Sequence, residues 1–181
     1  MQPRSFIAAV PPAEVRDSVY RLFSTAERAA LRAEGLVRSW TAPENLHCTL
    51  QFLGEVDPAR VCAELERVAG ELRSVPTRVG GSTMFLAHDA LVVPVMGLEP
   101  LVRALHAQLG HLVDPSVEVY DEFLGHMTLG RLPPGTGSPA ALERIHRGHD
   151  WWVDAVELLA SSTAPRTYSH LHRARLRGTG N

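Results

Sequence analysis

A chain of 181 residues has room for one large domain or two small lobes. With 45% hydrophobic and 21% charged residues it has a globular balance, which excludes a mainly disordered or fibrous chain. The 18 basic and 20 acidic side chains leave a formal charge of -2, so a nucleic-acid ligand would be held locally and not by a basic coat along a phosphate backbone.

Phe6-Ile7-Ala8-Ala9-Val10 is a short continuous apolar run and predicts a strand covered on both faces. Pro11 and Pro12 end it and open a helix with Val15, Val19, Leu22 and Phe23 on one face, stopping near Glu34-Gly35. Residues 46–53 alternate: Leu46, Cys48, Leu50 and Phe52 are expected on one side, and His47, Thr49, Gln51 and Leu53 on the other. Asp57-Pro58 reads as a cap and first turn for a helix buried along Val61, Leu65, Val68 and Leu72.

Strands are expected at 82–87 and 91–96, joined by a His88-Asp89 turn, before a helix marked by Leu101, Leu105, Leu109 and Leu112. A strand follows around Leu124 to Arg131, then a Pro/Gly loop, a short helix opened by Ser138-Pro139, and closing strands near 152–160 and 169–177. Helices alternating with hairpin-like strand pairs predict an α+β domain and not a doubly wound parallel sheet. No linker divides residues 1–181, which are expected to form one domain.

All the basic residues are Arg, which excludes a P-loop lysine and a Schiff-base lysine. Cys48 and Cys62 make neither a disulfide framework nor a CxxC zinc pair. The N-terminus lacks the pattern of a signal peptide, and no apolar run approaches the roughly 20 residues of a membrane span, so a soluble cytoplasmic protein is expected.

One tetrapeptide recurs. Leu46-His47-Cys48-Thr49-Leu50 returns as Gly125-His126-Met127-Thr128-Leu129, each a His-x-Thr-Leu on an expected strand. Period-2 geometry puts His and Thr on one face and anchors the other two residues in the core. Two such strands side by side would present two imidazoles and two hydroxyls to one cleft. Imidazole titrates near pH 6.5, so one ring can accept a proton while the other donates one, as an in-line displacement at phosphorus requires. The hydroxyls would donate to non-bridging oxygens, with an arginine balancing charge. A zinc pair is the alternative, but no third ligand stands at a recognisable spacing. Gly80–Met84 breaks the nucleophile-elbow pattern, and Gly135-Thr136-Gly137 lacks the dinucleotide fingerprint.

These motifs, with Trp40–Val56, the opening Arg4–Pro11 and the run His126-Met127-Thr128-Leu129-Gly130-Arg131, give the chain its family likeness. It resembles the two-histidine (2H) phosphoesterases, and most closely their bacterial and archaeal RNA 2′,3′-cyclic phosphodiesterases, also called 2′-5′ RNA ligases. The resemblance implies a bilobal α+β fold with two pseudo-symmetric lobes, outer helices and a central cleft. It implies metal-independent opening of 2′,3′-cyclic phosphates, at RNA 3′ ends or on nucleotides, to 2′-phosphomonoesters. Weak reversible 2′-5′ joining is a further activity of some members.

By position, His47 and His126 would be the catalytic pair, and Thr49, Thr128 and Arg131 would bind the phosphate. His126 would activate water and His47 protonate the departing oxygen, although the pseudo-twofold leaves the reverse open. No cofactor, metal or membrane partner is implied, and a monomer is expected. Two departures stand out: Gly125 replaces the family's usual proline, and Arg131 has the wrong parity for the cleft unless the strand bulges near Gly130. A cyclic nucleotide metabolite as substrate, or a non-catalytic nucleotide-binding module, are the competing readings.

Among the other residues, Trp40 and Phe52 are candidates to stack on a base, with core packing favoured for Phe52. One of Trp151 and Trp152 should pack inward. His146, His149, His170 and His172 read as solvated surface, the last two sharing a strand face, and Arg173, Arg175 and Arg177 as an exposed edge.

Overall fold

The N-terminal apolar run forms strand β1 (Arg4–Ala9), paired on both edges and buried from Ser5 to Ala9, with Ile7 and Ala9 in the main core and Phe6 and Ala8 in a second cluster. The structure, a computed structural model, describes residues 3–86, 89–118, 122–162 and 167–178. The other strands are β2 (Ser39–Trp40), β3 (Cys48–Glu55), β4 (Val75–Val79), β5 (Met84–Leu86), β6 (Ala90–Met96), β7 (His126–Arg131), β8 (His149–Val153), β9 (Ala155–Ser161) and β10 (Tyr168–Arg175). They join in one sheet of order β10-β9-β1-β3-β7-β6-β4-β8, with β2 added on β7 and β5 on β6. The pairs between these strands are antiparallel. This is the expected α+β class.

Four α-helices are described: α1 (Ala13–Tyr20), α2 (Thr25–Ala33), α3 (Pro58–Ala69) and α4 (Glu99–Leu109). In the half of the sheet built on β1 and β3, α3 packs on β9 and β10, and α4 on β3. In the half built on β6 and β7, α1 reaches β8 through Ser18 and His149, and α2 reaches β2 where the Trp40 indole N–H donates to the Arg28 carbonyl at 3.1 Å. The core lies between sheet and helices, from Val15, Leu31 and Trp151 on one side to Leu65, Leu105 and Val156 on the other. A smaller apolar cluster of Phe6, Ala8 and Leu159 lies apart from it. No helix among the described residues is long and apolar enough to cross a membrane.

Several expectations need correction. The first expected helix is two, because Ser24 and Glu27 form a reciprocal capping box that starts α2. Asp57 caps α3 as expected, accepting from the Ala59 N–H at 3.1 Å. Ser138-Pro139 opens only a 3-10 turn, Ala140–Leu142. The strand expected at 152–160 is two, broken at Asp154, and Pro76 hides the pairing strand β4 from a sequence reading. His88 of the expected turn lies outside the described residues.

Candidate active site

Strands β3 and β7 meet where Cys48 pairs with Met127, the middle residues of the two His-x-Thr motifs. Both side chains are wholly buried. Their neighbours His47, Thr49, His126 and Thr128 therefore project from the opposite face, where each is half-buried. The sheet thus brings all four expected side chains to one cleft. The Cys48 thiol, on the core side, is pushed up to about 12 by burial and takes no part in nucleophilic chemistry.

The two imidazoles are held alike. His47 Nδ1 lies 2.7 Å from the Asn45 carbonyl, and His126 Nδ1 lies 2.8 Å from the Leu124 carbonyl. A carbonyl only accepts, so Nδ1 carries hydrogen in both rings, and Nε2 is the nitrogen left to exchange a proton. His47 is also clamped by aromatic rings: Phe6 stacks on it at 5.0 Å between centroids, and Tyr168 meets it edge-on at 4.9 Å. Burial lowers the His47 pKa below the ordinary imidazole value; the Asn45 carbonyl opposes this, and like charge on His126 and His170 adds to it. Sequence reading misses Phe6 and Tyr168. Phe6 looks like core, and nothing local ties the start of the last strand to His47.

Past each threonine the strand bulges. On β3, Ala8 pairs with Thr49 but Ile7 with Gln51, so Leu50 is the extra residue. On β7, Val92 pairs with Thr128 but Leu91 with Gly130, so Leu129 is the extra residue. The repeated leucine of each motif is thus a bulge residue, and it reverses the side-chain parity that follows. Phe52 consequently turns out of the core to 57% exposure, while Leu53 is fully buried, the opposite of the simple alternation. Arg131 is brought to the face of Thr128, as its assignment to the cleft requires. There its guanidinium donates to Asp89 at 2.9 Å, a carboxylate that Arg38 also approaches at 3.7 Å.

Gly125, which stands where the family usually has proline, allows a close approach at the start of β7. A Cβ there would lie 2.2 Å from the Val95 carbonyl oxygen. That contact belongs to the continuation of the β6–β7 ladder beyond His126, where the Val95 N–H donates to the Gly125 carbonyl at 2.8 Å.

The remaining candidates separate. Trp40 packs on Phe23 and the Arg28 guanidinium, away from a stacking role. The four histidines do not assemble: His149 bonds Ser18, His146 accepts from the Gly148 N–H, His172 meets Glu66 of α3, and His170 meets Glu157 at 2.5 Å. A register shift between His170 and His172 separates the last two, which simple alternation places on one face. Among the described residues no three His, Cys, Asp or Glu side chains are grouped to hold a metal ion.

Comparison with known proteins agrees with this geometry. The fold superposes on the crystal structure of TT0787 of Thermus thermophilus with a TM-score of 0.77 and 24% identity, over 98% of this chain and 100% of that one. It superposes on E. coli LigT complexed with 3′-AMP with a TM-score of 0.73 and 26% identity, over 97% and 99% of the two chains. These likenesses define a curled antiparallel sheet with few helices. Residues 14–164 match the family model described as the 2′-5′ RNA ligase superfamily, and the chain belongs to that family of two-histidine phosphoesterases. An RNA 2′,3′-cyclic phosphodiesterase of Thermotoga maritima is 28% identical over 138 residues, covering 71% of this chain and 70% of that protein.

Proposed function

We propose that residues 1–181 act as one bilobal unit that hydrolyses 2′,3′-cyclic phosphates, at RNA 3′ ends or on nucleotides, to 2′-phosphomonoesters without a metal ion. The carrying observation is the pairing of Cys48 with Met127, which turns both motifs to one cleft, with both Nδ1 atoms committed to backbone carbonyls. The name and identity of the Thermotoga protein support the substrate class.

In this reading water attacks phosphorus as His126 Nε2 takes its proton. The bond from phosphorus to the 3′ oxygen breaks, and that oxygen takes the proton carried on His47 Nε2. Thr49 and Thr128 donate to the non-bridging oxygens, and Arg131 balances their charge. Burial favours neutral His47 in the free protein. The anionic phosphate beside it restores the proton, because an opposite charge favours the charged ring. With a 5′-hydroxyl attacking in place of water, the same step, the bond from phosphorus to the 3′ oxygen again breaking, would form a 2′-5′ linkage.

The test is a panel running from 2′,3′-cyclic mononucleotides to oligonucleotides with cyclic ends, assayed in excess chelator with ³¹P NMR of the product. Turnover to the 2′-phosphate is expected. Loss of turnover on chelation that Zn²⁺ or Mn²⁺ restores, or a mainly 3′-phosphate product, would overturn the reading.

A further inference from the structure

Residues paired across neighbouring strands share a face, so the floor of the cleft can be followed outward from each motif. On one side His126 pairs with Pro94. Met96, two residues on, shares the Pro94 face and pairs with Arg78, which pairs with Asp150. Two residues further, Pro76 pairs with Trp152. Burial agrees: Trp152 is 55% and Met96 47% exposed, whereas Val95, Val79 and Trp151 on the other face are buried. Pro76, Arg78, Met96 and Trp152 line a depression of about 520 Å³.

On the other side Thr49 pairs with Ala8, Ala8 with Glu157, and Glu157 with Arg173. Glu157 and Arg173 line a second depression of about 350 Å³, and Trp152 lines it too. The indole therefore stands where the floor that starts at His126 meets the floor that starts at Thr49.

We propose that Trp152 is a stacking shelf for a nucleobase upstream of the nucleoside that bears the cyclic phosphate, so that the protein selects oligonucleotide ends over mononucleotides. The proposal rests on the cyclic-phosphodiesterase reading above. Position fixes which base is meant. Trp152 lies three strands across and four residues along from His126, roughly 20 Å over the sheet at the usual strand spacing and rise, beyond the nucleoside seated at the motifs. Chemistry fixes the kind of group. Arg78 is paired with Asp150 at 2.8 Å and Arg173 with Asp154 at 3.4 Å, so the charges around the ring cancel. An uncharged aromatic ring suits this surface better than a phosphate, and any base offers a π face.

The experiment is a length series of one to four nucleotides, each ending in a 2′,3′-cyclic phosphate, with wild type, Trp152→Ala and Trp152→Phe. Wild-type kcat/KM should step up by about 10-fold or more at the length that reaches the shelf, as one stacked base gives. Trp152→Ala should remove the step and leave the mononucleotide rate unchanged, and Trp152→Phe should keep most of it. A wild-type series without a step, a step that survives in Trp152→Ala, or an equal loss at every length would overturn the shelf. Equilibrium binding of the matching series ending in a 2′-phosphate separates the two claims. If no cyclic end is turned over, the activity fails, yet a length-dependent affinity that Trp152→Ala abolishes still upholds the shelf.

Discussion

Phe52 and Arg131 occupy equivalent places in the two halves of the cleft. Each stands three residues after the threonine of its motif and just past the bulged leucine, and each is turned to the cleft face by that bulge. One half therefore presents an aromatic ring where the other presents a guanidinium, an asymmetry that would suit the proposed ligand with its base and phosphate.

Two opposite substitutions read the β3 bulge. Phe52→Ala should leave stability within about 0.5 kcal/mol of wild type, as for an exposed side chain. Leu53→Ala should cost about 2–5 kcal/mol, as for a filled core position. Urea unfolding of both variants checks this, and a larger loss at Phe52 than at Leu53 would restore the simple alternation.

Arg131→Ala should lower kcat/KM on a cyclic nucleotide by about 10- to 100-fold, the effect of one hydrogen bond to a charged group. Arg131→Lys should recover only part of this, because an ammonium keeps the charge but not the planar set of guanidinium donors, one of which bonds Asp89. Steady-state kinetics with unchanged far-UV dichroism would separate this from a folding defect. Full activity in Arg131→Ala would remove it from the phosphate site.

The lowered His47 pKa fixes a sign for the dependence of stability on pH. Unfolded, the imidazole takes a proton near pH 6.5, and folded it resists until lower pH, so the unfolded state binds more protons in between. Stability should fall as pH drops below about 6.5, with His146, also lowered by burial, adding in the same direction. His47→Gln should flatten part of that slope. Denaturant midpoints from pH 8 to pH 5 measure it, and an unchanged slope in the variant would contradict the burial of His47.

Gly125→Ala should lose activity and stability together. The added carbon must displace the Val95 carbonyl next to His126, whereas Gly81→Ala meets nothing within 4 Å and is the control. Thermal melts and kcat for the pair test this. A fully active Gly125→Ala would mean that β7 tolerates the shift.

Much of this site is legible in the amino-acid sequence. The repeated His-x-Thr-Leu marks the four polar side chains, and period-2 geometry puts each His and Thr on one face. What the sequence hides is the bulge at Leu50 and Leu129, because an apolar residue reads the same whether it continues a ladder or interrupts it. That is why simple alternation puts Phe52 in the core and leaves Arg131 needing a distortion to reach the cleft. The aromatic clamp of Phe6 and Tyr168 on His47 depends on the β1–β9–β10 pairing, a long-range relation that local pattern does not carry. The Ser24–Glu27 capping box, by contrast, is readable, and the longer apolar stripe obscures it.

The central claim is that the two similarly held imidazoles divide the roles of acid and base. Kinetics on a cyclic phosphate analogue whose leaving group needs no protonation test it most directly, using wild type, His47→Ala and His126→Ala. On the natural substrate each variant should lose on the order of 10²–10⁴ in rate. On the activated substrate His47→Ala should recover most of its loss and His126→Ala should not. Equal recovery of both variants, or of neither, would contradict the division of roles.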